Sequence, residues 1–131
     1  SLSSSEVGAY TLQAAIAAVH SEASSTSDTD WAQIVALYDL LMQAERSPIV
    51  ELNRAVAVAM RDGFLAGLQQ IDDILARGDL AEYHLAHAAR ADFSRRLGRI
   101  DEARASYQQA LALVKQEPER RFLQKRLGEL G

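Results

Sequence analysis

A chain of 131 residues has room for one domain and too few residues for two cores. Its 23 alanines and 17 leucines outweigh 16 valines, isoleucines and threonines, and with only seven glycines and two prolines it predicts an all-α fold and excludes an all-β sandwich. Net charge is −4 and there is no cysteine, which excludes disulfides, thiolate metal sites and iron–sulfur clusters.

Ser1 and Leu2 read as a cloning remnant, so residues 1–7 are expected to be remnant or linker and residues 8–131 one helical domain cut from a longer protein. A first helix is predicted over 8–23, striped by Leu12, Ile16, Val19 and Ala23. The polar run 24–30 ends it and supplies caps for a second, over 29–45, where Trp31, Ile34, Val35, Tyr38, Leu41 and Met42 make the clearest amphipathic stripe. Trp31 and Tyr38 at this spacing read as core or, alternatively, as an exposed aromatic anchor pair. Ser47 and Pro48 are expected to cap and open a third helix, 48–62. Its segment 55–60 is apolar all round and so central.

Gly63 turns the chain into a fourth helix ending near 77, with Leu65, Leu68, Ile71 and Leu75 as its stripe. Asp79 and Glu82 have the spacing of a capping box for a fifth, reaching Leu97 before Gly98. A sixth starts near Asp101 and carries Ala103, Tyr107, Ala110 and Val114. A seventh opens at Pro118 with Leu123, Leu127 and Leu130 as its stripe and Arg120, Arg121, Lys125 and Arg126 on its outer face. Those cations sit beside Glu117, Glu119 and Glu129; they read as intrahelical pairs or, alternatively, as a surface for an acidic partner.

Gly63 and Gly98 lie 35 residues apart, as do Leu68 and Ala103. A period near 34 points to tetratricopeptide units, and the Gly, Ala, aromatic and Ala of residues 98–110 fall at that repeat's spacings. Trp31-x-x-Ile34-Val35-x-x-Tyr38 also resembles the start of such a unit but is out of phase with the period. The fold expected is a tetratricopeptide-like right-handed superhelix of three helical hairpins plus a C-terminal capping helix.

No enzyme motif is complete, and no cofactor is expected. His84 and His87 are three residues apart on a helix, which reads as packed or solvated histidines and not as a metal pair, since a metal needs further ligands. The acids outnumber the bases seven to two over residues 1–60, and the bases lead seven to five over 99–131, a tilt too mild for the dense basic stripe of a nucleic-acid binder. No run is long enough to span a membrane and no export signal is seen, so a cytoplasmic chain is expected.

Binding is expected along a concave face formed by the first helix of each hairpin. With Gly63 and Gly98 taken as equivalent, it presents Asn53, Arg54 and Arg61 from one unit and Asp92, Arg95 and Arg96 from the next. Asn53 interrupts a helix expected to be buried, where an amide needs partners. The same side chains also read as solvated or interhelical polar groups. A closed apolar pocket beside Asn53 would instead mark a small-molecule sensor.

The segments 8–20, Asp30-Trp31 through Leu41, Ser47 to Ala57, Tyr83 to Leu85 with Ala88 to Asp92, Arg95 to Arg99 and Glu117 to Leu123 resemble, in order, the C-terminal helical extension of a group of bacterial extracytoplasmic-function sigma factors. Ala9 departs from the proline expected after the glycine. The resemblance implies sigma regions upstream that bind RNA polymerase and promoter DNA, and a C-terminal module that regulates initiation in cis. Its partners would be those upstream regions and the polymerase, with DNA reached only through the sigma regions and no membrane involved. The competing expectation is a generic peptide-binding scaffold.

Overall fold

The computed structural model describes residues 29–130. They form six α-helices and no strand: α1 Trp31–Ala44, α2 Pro48–Asp62, α3 Phe64–Ala76, α4 His84–Arg96, α5 Ile100–Leu113 and α6 Glu117–Glu129. The helix expected over 8–23 lies outside these residues. None of the six is long and apolar enough to cross a membrane.

Each helix packs chiefly on the next in the chain, most extensively α4 on α5 and α2 on α3. The core accordingly moves along the molecule in three clusters. Ile34, Val35 and Leu41 of α1 meet Val50, Ala57 and Val58 of α2. Leu52, Ala55 and Ala59 on another face of α2 meet Leu68 and Ile71 of α3 and Ala86 and Phe93 of α4. Ala91 meets Ala103, Tyr107 and Ala110 of α5, and Leu123 of α6 closes the cluster. Trp31 and Tyr38 are half-buried against the first of these, and burial pushes the Tyr38 phenol above its ordinary pKa. Leu65, expected in the α3 stripe, is exposed, and Ile74 takes the buried place.

Local chemistry explains several helix ends. Asp30 caps α1, its carboxylate accepting from the Gln33 N–H at 3.0 Å. Ser47 stands at the start of α2 without a side-chain capping bond, so the fixed φ of Pro48 and the acidic Glu51 in the first turn open that helix. The capping box expected at Asp79 does not form. Residues 77–82 are turns, Leu80 takes a left-handed φ of 60°, and α4 begins only at His84. Asp79 instead accepts from Arg77 at 3.2 Å, while Leu80 and Tyr83 pack on the second core cluster, whose burial outweighs a longer helix. At the end of α4, Gly98 N–H donates to Arg95 O and Arg99 N–H to Ser94 O, a paired closure that requires the positive φ of 77° found at Gly98.

The period differs by one residue from the sequence reading. Helix starts recur 36 residues apart, Pro48 to His84 and Phe64 to Ile100. Gly63 is therefore the counterpart of Arg99, since each directly precedes the second helix of its pair, while Gly98 belongs to the end of α4. The tight α2–α3 approach falls at Gly67, the counterpart of Ala103. A Cβ there would overlap Ala59 Cβ and lie 3.0 Å from Ala55 O, both anchored to backbone. Gly67→Ala is expected to destabilise by about 1–3 kcal/mol in urea titration. Gly128→Ala, on α6 with open space around it, is expected to stabilise by up to about 1 kcal/mol.

Candidate protein-interaction groove

Alternate helices, α2, α4 and α6, line an open groove of about 410 Å³. Its apolar surface comes from Leu52 and Val56 of α2, Leu85, Ala88 and Ala89 of α4, and Phe122 of α6. Leu85 is 46% exposed and Phe122 55%, the latter the most exposed large hydrophobic side chain among the described residues. The alanines leave the groove floor low, and Tyr107 reaches it from α5 while remaining almost wholly buried.

Asn53, Asp92, Arg96 and Arg126 supply its polar groups. Asn53 is exposed, contrary to the expectation of a buried amide, because the face of α2 between the two core clusters opens onto the groove; among the described residues it makes no hydrogen bond. Asp92 accepts from two arginines, Arg95 Nη2 at 2.6 Å and Arg96 Nε at 2.9 Å, so one carboxylate answers two guanidinium groups. Arg96 lies over the Phe64 ring, 4.9 Å from its centroid, and Arg126 over Phe122 at 5.3 Å. Attraction to the ring face restrains each guanidinium group at its position.

The structure thus brings Asn53, Asp92 and Arg96 together and places the other three expected residues elsewhere. Arg95 is turned inward. Its guanidinium is held above its ordinary pKa first by its hydrogen bond to Asp92 and then by the neighbouring Tyr107 hydroxyl, and among the described residues its Nε is buried without a partner. Arg54 ties three helices together, donating to Asp39 of α1 at 2.6 Å and Gln70 of α3 at 3.2 Å. Arg90, 36 residues on, does the same to Asp72 of α3 and Ser106 of α5, both at 2.7 Å. This equivalence marks Arg54 as an interhelical brace facing away from the groove. Arg61 bonds its neighbour Asp62 at 2.9 and 2.7 Å, which holds the Asp62 carboxyl below its ordinary pKa.

Sequence reasoning missed Leu85 and Phe122. Phe122 carried a readable signal, since it is a large apolar residue on the basic, outward side of the leucine stripe of α6. Arg120 and Arg121 pair with Glu117 and Arg126 with Glu129, all within α6, whereas Glu119 crosses to α4, its Oε2 2.6 Å from His84 Nε2. His87 Nε2 meets Ala81 O at 2.8 Å, so the two histidines serve different partners. Among the described residues no cluster of three or more His, Asp or Glu side chains is arranged to hold a metal.

No family model matches this chain, and no solved structure matches it. Among curated proteins, an uncharacterized protein of Rhizobium meliloti (strain 1021) is 39% identical over 124 residues, covering 95% of this chain and 29% of that protein. The chain therefore spans less than a third of that relative's length.

Proposed function

We propose that this chain is a regulatory protein-interaction domain, the C-terminal module of a cytoplasmic extracytoplasmic-function sigma factor. In this reading its helices stack as a tetratricopeptide-like right-handed superhelix and dock the upstream sigma regions or RNA polymerase. The observation that carries the docking role is the open groove on α2, α4 and α6 with Leu85 and Phe122 presented to solvent. Groove-lining by alternate helices is the arrangement in which the first helix of each hairpin forms a shared concave face. The ordered sequence resemblance to sigma-factor extensions supplies the partner, and the match to under a third of a longer relative accords with a module inside a larger protein. The openness of the groove favours a peptide or protein surface over an enclosed small molecule.

Docking in cis regulates through differential contact: the domain shifts initiation only as far as it binds one state of the sigma regions better than another. The test compares transcription by the full-length protein and a version lacking this domain, with pulldown of the sigma regions by the isolated domain. Altered transcription on truncation together with binding is the expected result. Unchanged transcription and no binding would remove the cis-regulatory role, and capture of peptides without any sigma dependence would leave a generic scaffold.

A further inference from the structure

We infer that the groove takes an extended, acidic peptide segment, its apolar side chains seated on Leu85 and Phe122 and its carboxylates on Arg96 and Arg126. This rests on the docking reading above and adds the chemistry of the occupant. Charge points to an acid. The groove wall carries Arg96 and Arg126 against Asp92, and Asp92 is shared with Arg95. Arg96 uses only Nε on that carboxylate, and among the described residues its two terminal nitrogens have no partner. Arg126 spends one terminal nitrogen on Glu129 at 3.2 Å, an exposed intrahelical pair that a bound carboxylate displaces at little cost. Both guanidinium groups already rest over aromatic rings, so less side-chain freedom is lost when a carboxylate binds them.

Two features favour an extended backbone over a helix. Asn53 offers an amide with both a donor and an acceptor and no internal partner, which matches the free N–H and C=O of an extended chain; a helix has already paired its own. Ala88 and Ala89 give a low floor that lets main chain approach α4 closely. In an extended segment alternate side chains point the same way, so apolar groups face Leu85 and Phe122 while intervening acids reach the rim.

The probe is a short fluorescein-labelled peptide in which leucines alternate with glutamates, titrated against the 131-residue chain by fluorescence polarisation beside its glutamine and lysine counterparts. The glutamate peptide is expected to bind at least about tenfold more tightly than either counterpart. The preference should shrink as salt is raised. Arg96→Gln with Arg126→Gln should abolish the preference, and Arg96→Glu with Arg126→Glu should transfer it to the lysine peptide, with circular dichroism confirming the fold. Equal binding of all three peptides, lost on Phe122→Ala, would overturn the acidic assignment while leaving the docking reading intact. Binding of none would also overturn it, and the transcription comparison would then decide the docking reading alone.

Discussion

Tyr107→Ala is expected to cost about 3–5 kcal/mol and to lower the melting temperature by roughly 10–20 °C. Tyr107 is 2% exposed and fills the third core cluster against Ala91, Ala103 and Ala110. Alanines have no side chain to swing into a void, so the cavity left by the ring stays open and the full cavity penalty applies. Because Leu123 of α6 closes the same cluster, the loss should spread to that helix and loosen the α6 wall of the groove. Hydrogen exchange should show α4 to α6 opening well before α1 and α2, as expected where helices contact chiefly their chain neighbours. Tyr107→Phe keeps the ring and removes only the hydroxyl near Arg95, a change of about 1 kcal/mol. Equal melting of the alanine and phenylalanine variants would show that the ring is not the packing element described.

Much of this architecture is legible in the sequence because burial imposes a period. The stripe from Trp31 to Met42 places Ile34, Val35 and Leu41 in the core, and the run from Ala55 to Ala59 supplies α2 with faces for two clusters. What the pattern could not carry was the balance between local and distant terms. The Asp79 cap lost to the burial of Leu80 and Tyr83, and glycine spacing set the period one residue short because Gly63 and Gly98 do different jobs. The groove was half visible. Polar residues on the first helix of each hairpin pointed to it, yet spacing cannot separate Arg54, whose partners Asp39 and Gln70 lie on other helices, from Arg96, which pairs with Asp92 on its own helix. The apolar anchors were read past because exposed and buried leucines look alike in a helical stripe until the third helix of the groove is in place.

Leu85→Ala combined with Phe122→Ala is expected to weaken partner docking by about 100-fold or more while shifting stability by only about 0.5 kcal/mol per site. The asymmetry follows from exposure in the free chain. Leu85 and Phe122 are half open to water, so folding gains little from them. A partner covering both would remove the remaining apolar surface from water, at about 25 cal/mol per Å², and aromatic anchors at the centre of an interface each contribute about 2 kcal/mol or more. Loss of the Phe122 ring also frees the guanidinium of Arg126 from its platform, adding to the cost in binding but not in folding. Leu40→Ala is the matched control: Leu40 is 49% exposed, on α1 and outside the groove, and its truncation should leave docking unchanged. A loss of docking in that variant as large as in the double variant would place the interaction on exposed leucines in general, and the groove would no longer be the site.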